Sequence, residues 1–99
     1  MTNKMRAIHP GEILKDELDA LGLSANQFAL KLHVPANRIT SILNGKRAIT
    51  PETALRLAKL FGTTAEFWIN LQTIYDLKQA YNRSWKIIDQ EVQEELRAA

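Results

Sequence analysis

Helix-breaking residues recur at short intervals along this chain, and their spacing constrains the fold more than any other feature. Pro10-Gly11, Gly22, Ser24, Val34-Pro35, Asn44-Gly45, Thr50-Pro51 and Gly62 divide it into stretches only a few helical turns long. No stretch between them alternates apolar and polar residues with the period of two that a half-buried strand requires. A first helix is expected from Pro10-Gly11 to Leu21, burying Ile13, Leu14, Leu18 and Leu21 and stopped by Gly22. Ser24 and Gln27, three residues apart, form a capping box for a second helix to about Leu32, with Phe28, Ala29 and Leu32 inward. His33-Val34-Pro35 is a break, because Pro35 lacks an amide donor and holds Val34 extended. A third helix begins at Pro35 or Ala36 and ends at Asn44-Gly45. Thr50 caps a fourth, with Pro51 in its first position, and Ala54, Leu57, Ala58 and Phe61 along one side. Thr63 and Glu66 make a further capping box, opening a fifth helix to about Ala80. A sixth segment, Ser84 to Arg97, lines up Trp85, Ile88, Val92 and Leu96. The expected class is all-α: a helix-turn-helix domain over residues 1–81 and a helical extension over 82–99.

Composition narrows the chemistry. The 99 residues suffice for one modest core, and the absence of cysteine removes disulfides, zinc fingers and thiol catalysis together. The opening "MTNKMRAIHP" has cations but no apolar core of a secretory signal, and no apolar run approaches the roughly 20 residues of a membrane span. The cytoplasm is the expected compartment. His9 and His33, the only histidines, fall on opposite sides of any helical layout, so no metal site or cofactor is expected. The acids of the first and last helices read as solvated faces, and no nucleophile–base pair or phosphate-binding glycine loop is present. Glu52 and Glu66 fall in first turns, where they suit the helix dipole. An enzyme is not expected.

Charge is distributed unevenly. Within residues 31–60, Lys31, Arg38, Lys46, Arg47, Arg56 and Lys59 face a single acid, Glu52, while both flanks carry an excess of acids. A basic middle between acidic flanks suits a polyanion, although a solvated basic face has the same signature. The second and third helices have the outline of a helix-turn-helix. Projected at about 100° per residue, Ile39, Ile42 and Leu43 of the third helix fall together, and Ala36, Asn37, Arg38, Thr40 and Ser41 take the opposite arc. That arc has no acid, and its side chains are small or hydrogen-bonding, as a helix entering a major groove requires. Lys46 and Arg47 follow in the next loop, placed to neutralise flanking phosphates, with Ser24 and Gln27 approaching the backbone from the other side.

The segments "HPGEILKDEL", "VPANRITSILNGKRAIT" and "TALRLAKLFGTTAEFWINLQTIYDL" closely resemble the HigA (VapI-like) antitoxins of the XRE or Cro/C1-type helix-turn-helix group. The resemblance covers residues 8 to about 80 without gaps. It implies a five-helix, lambda repressor-like fold, a homodimer, binding to operator DNA, repression of the protein's own operon and neutralisation of a HigB toxin, an mRNA-cleaving enzyme of the RelE type. By position it places the recognition helix on Ala36–Leu43. The base-facing set is then Ala36, Asn37, Arg38 and Ser41 with Thr40 alongside, and Lys46 and Arg47 form the basic loop. His33 stands where many such proteins carry glycine, at a turn position that favours positive φ, which histidine tolerates.

The expected fifth helix carries more apolar surface than one core face needs: Phe67, Trp68, Leu71, Ile74 and Tyr75 span about 120°. Either the terminal helix folds back over it or a second subunit covers it, and a homodimer through the C-terminal half is expected. Two alternatives share the same sequence features. One is a solitary XRE-type repressor with no toxin; the other is a protein-interaction module whose basic loop never meets DNA.

Overall fold

The computed structural model describes residues 6–96, and among them every regular element is a helix. These are α1 (Pro10–Leu21), α2 (Ala25–Leu32), α3 (Ala36–Leu43), α4 (Pro51–Phe61) and α5 (Ala65–Glu91). The expected boundaries of the first four hold because each carries its own termination chemistry. Gly22 and Gly62 end α1 and α4 in the left-handed conformation, and His33 does the same for α2 at φ 59°, ψ 46°. The capping box of α2 is complete: the Ser24 hydroxyl accepts from the Gln27 amide, and the Gln27 side-chain oxygen accepts from the Ser24 amide at 2.9 Å.

The C-terminal half departs from expectation. No break separates a fifth from a sixth helix; α5 runs 27 residues through Glu91, and residues 92–96 continue without helix. Nothing between Ala80 and Ser84 is a strong breaker, since Asn82 and Arg83 cost a helix little. The extension therefore does not fold back, and the described chain measures 51 × 28 × 21 Å. Arg97, expected to end the sixth segment, lies outside the described residues. The cap of α5 is Thr64, not Thr63. The Thr63 hydroxyl instead accepts from the Trp68 indole N–H at 3.0 Å. Leu21, expected in the core, is 55% exposed, because it sits in the last turn of α1, beyond the helices that cover Leu14 and Leu18.

One core unites all five helices. Leu14, Phe28, Ile39, Ile42 and Leu57 are fully buried in it, and Trp68 nearly so. The Phe61 ring lies 5.7 Å from Phe28 and 5.6 Å from Trp68, joining α2, α4 and α5. The α1–α3 contact depends on a missing side chain: a methyl group on Gly11 would overlap the carbonyl of Ile42.

His9 governs the same junction. Its Nδ1 accepts from the Gly11 amide at 2.9 Å, capping α1, while its own amide donates to Glu12 at 3.3 Å. The buried imidazole meets Tyr75 of α5 edge-on at 4.8 Å and the backbone carbonyl of Arg47. Next to it, Gln72 accepts from the Ile49 amide at 2.8 Å and donates to Asp76 at 2.9 Å, so α5 holds the loop after α3. Burial pushes the His9 pKa below its ordinary value of 6.5, against the opposing pull of Asp76, Glu12 and the Arg47 carbonyl. Neutral imidazole is also what the cap needs, because a protonated Nδ1 cannot accept.

Two outcomes follow from this junction. Gly11→Ala should cost roughly 1–3 kcal/mol by overpacking, seen as a lower urea midpoint at unchanged slope. The unfolded chain takes up the His9 proton near pH 6.5, whereas the folded chain does so only at lower pH. The stability that neutral His9 contributes is thus complete above 6.5 and lost as pH falls below it. His9→Asn, which still caps but does not titrate, should flatten the dependence of the urea midpoint between about pH 7 and pH 5.

Candidate nucleic-acid interface

The turn between α2 and α3 sets the angle of the candidate reading helix. The amides of His33 and Val34 return to the carbonyls of Leu30 and Ala29 at 3.2 and 3.1 Å, which the left-handed His33 makes possible. The Arg56 guanidinium donates to the Leu32 carbonyl at 3.0 Å and fastens the end of α2 to α4. Pro35 then starts α3 with no side-chain cap.

Helix α3 is anchored by Ile39 and Ile42, both 0% exposed, with Leu43 half-buried beside them. Ala36, Asn37 and Thr40 are exposed on the other side, and the Thr40 hydroxyl donates to the Asn37 carbonyl at 3.2 Å, leaving its lone pairs outward. Ser41 and Arg38 are half-buried at the edges of this face. From Ala36 to Arg47 there is no acidic side chain. The helix ends where Gly45, at φ 73°, and Lys46 donate back to Ile42 and Ser41 at 3.0 and 2.8 Å. Lys46 and Arg47 are exposed in the following loop and form no ion pair among the described residues. At the start of α2, Ser24 and Gln27 spend one acceptor each on the capping box. The Ser24 hydroxyl proton and the Gln27 amide N–H groups remain free to donate outward.

Arg38 departs from a simple outward pose. Its projected angle adjoins that of Ile42, and the guanidinium turns toward α4, where Nη1 meets Glu52 at 3.2 Å. The other carboxylate oxygen of Glu52 lies 3.5 Å from Arg56. Glu52 therefore has partners on α3 and α4 that its reading as a first-turn residue suiting the helix dipole did not include. His9 and Gln72 were also missed as supports of the loop. Their bonds span 23 residues in the case of Gln72, and no local pattern announces them.

The five residues expected at a subunit interface divide. Trp68 is spent inside the subunit, 2% exposed, and Tyr75 and Leu71 are half-buried, Tyr75 against His9. Phe67 and Ile74 are open at 46% and 58%. They begin a stripe of Phe67, Ile74, Tyr81 and Ile88, seven residues apart, with Trp85 four residues after Tyr81; Val92, four after Ile88, falls just past the helix end. This is the heptad spacing of a helix–helix seam. Tyr81 and Trp85 stack along it at 5.1 Å.

A concavity of about 580 Å³ between α2 and α4 is lined by Leu32, Leu55, Leu60, Lys31, His33 and Lys59 among others, with no nucleophile–base pair. No group of three or more His, Asp or Glu residues among those described could hold a metal ion. No helix is long and apolar enough to cross a membrane among the described residues.

Comparison with known proteins agrees with this geometry. The helix-turn-helix family model matches residues 14–68. Virulence-associated protein I of Dichelobacter nodosus is 54% identical over 79 residues, covering 79% of this chain and 73% of its own. A HigA-family addiction module antidote protein from Coxiella burnetii superposes with a TM-score of 0.90 at 60% identity, covering 92% of this chain and 100% of its own. The Pseudomonas aeruginosa antitoxin HigA, solved with the higBA promoter, does so at 0.89 and 41%, with the same coverage. With its five-helix core, left-handed turn and eight-residue α3, the chain belongs to the HigA (VapI-like) family of XRE-type helix-turn-helix proteins.

Proposed function

We propose that this protein is the antitoxin of a type II toxin–antitoxin module: a cytoplasmic homodimer that binds operator DNA, represses its own operon and neutralises a HigB/RelE-like mRNA-cleaving toxin by direct contact. One coincidence carries the reading. The chain matches, along its length, an antitoxin solved with a promoter, and it presents an exposed, acid-free α3 followed by two unpaired cations. Asn37, Thr40 and Ser41 with Ala36 meet base edges in the major groove, and Arg38 adds a guanine-type donor at the flank. Lys46 and Arg47 grip phosphate, and the Ser24 and Gln27 donors reach the backbone on the far side.

A second copy covers the open stripe of α5. Phe67, Ile74, Tyr81, Trp85 and Ile88 form the seam, and the cation Lys78, four residues after Ile74, sets its register. This extends the dimer face beyond Phe67 and Ile74 into residues 82–88. The two-fold pairing brings two α3 helices to half-sites about one DNA turn, roughly 34 Å, apart.

Three outcomes are expected. In a gel-shift salt series with promoter DNA, Lys46→Ala/Arg47→Ala should lower the salt slope by about two, whereas Arg38→Ala should cost roughly 1–3 kcal/mol and relax sequence preference. If neither change weakens binding, the base-reading assignment is wrong. Ile74→Glu/Ile88→Glu should sediment as a folded monomer and bind the operator at least about tenfold more weakly; a persisting dimer would rule out the α5 seam. Expression of the adjacent open reading frame should arrest growth, and co-expression of this protein should relieve it. A harmless neighbour would leave a solitary repressor.

A further inference from the structure

We infer that Glu52 is a positioning residue for Arg38, holding it as a base reader and away from the phosphates. The inference rests on α3 being the reading helix, and deepens that assignment. Arginine on a groove rim is by default an unselective phosphate binder: its side chain is long, rotatable and always charged. Here the guanidinium is not loose. Glu52 stands in the first turn of α4, whose start is fixed by Pro51 and the Thr50 cap. Its carboxylate bridges Arg38 at 3.2 Å and Arg56 at 3.5 Å. Arg56 is itself tied to the Leu32 carbonyl at 3.0 Å. The end of α2, the first two turns of α4 and the start of α3 are thus joined through one carboxylate.

That arrangement acts on selectivity in two ways. Arg38 spends Nη1 on Glu52, so its remaining N–H donors are presented from a fixed position, which lowers the ordering cost of pairing with a base edge. Glu52, 63% exposed, is also the only acid of the basic segment 31–60. It lines the same notch of about 320 Å³ as Arg38, Arg47 and Thr50, where it opposes the approach of phosphate to Arg38. Removing it frees Arg38 to join Arg47 on the DNA backbone, strengthening binding to any sequence at the expense of discrimination.

The test measures the affinity of the full chain for its promoter duplex and for a scrambled duplex of equal composition, by fluorescence anisotropy. Glu52→Gln should bind the scrambled duplex several-fold more tightly and lower the promoter-to-scrambled ratio about tenfold. Glu52→Asp keeps the charge and the helix-dipole interaction but is too short for the bridge, and should lower the ratio as well. In an Arg38→Ala background, Glu52→Gln should change the ratio less than about twofold. An unchanged ratio in Glu52→Gln, or an equal drop without Arg38, overturns the assignment while the reading of α3 stands. A wild-type chain with no preference for the promoter overturns both. Melting temperatures of the variants identify any loss that reflects folding alone.

Discussion

Everything proposed for the exposed face of α3 depends on the burial of Ile39 and Ile42. An isolated helix of eight residues is too short to persist in water, since nucleation outweighs the few bonds it gains. Helix α3 exists as a rigid body because those two side chains are wholly buried against the rest of the core. The Gly11–Ile42 contact lets α1 come close enough to complete the packing. A helix held from behind in this way can leave its other face short of helix-favouring charges, and Asn37, Thr40 and Ser41 occupy it despite their lower helix propensity.

Helix α5 has two separate duties on two faces. On one, Trp68 and Gln72 bind the core and the loop that carries Lys46 and Arg47. On the other, Phe67, Ile74, Trp85 and Ile88 stand open at heptad-related positions from the start of the helix to its last turn. The loop proposed to grip phosphate and the seam proposed to join two copies are therefore attached to one continuous rod. In the proposed dimer the separation between two reading helices would be set by rigid elements, as a palindromic site demands.

The parts legible in the sequence were those whose causes are local. Caps, stops and the turn at His33-Val34-Pro35 each involve residues within five of one another, and the first four helices follow from them. The division of α3 into an anchored and an open face followed from its period alone. Errors arose where the cause was distant or weak. The stretch Ala80 to Ser84 contains no breaker, so a boundary drawn there from amphipathicity gave two helices in place of one. Thr63 and Thr64 are equivalent as caps until Trp68 claims one of them. Arg38 read as fully outward because its partner, Glu52, lies on another helix, 14 residues away. His9 looked like a solitary histidine, yet it joins α1, α5 and the basic loop.

Two copies of α3 are proposed to read bases in successive major grooves on one side of the duplex. Dimethyl sulfate protection tests it directly, because the reagent methylates guanine N7, an atom exposed in the major groove. Two protected clusters are expected on the promoter, about one helical turn apart, each lost in Asn37→Ala/Arg38→Ala. Uniform reactivity at saturating protein, or protection that survives those substitutions, would contradict it.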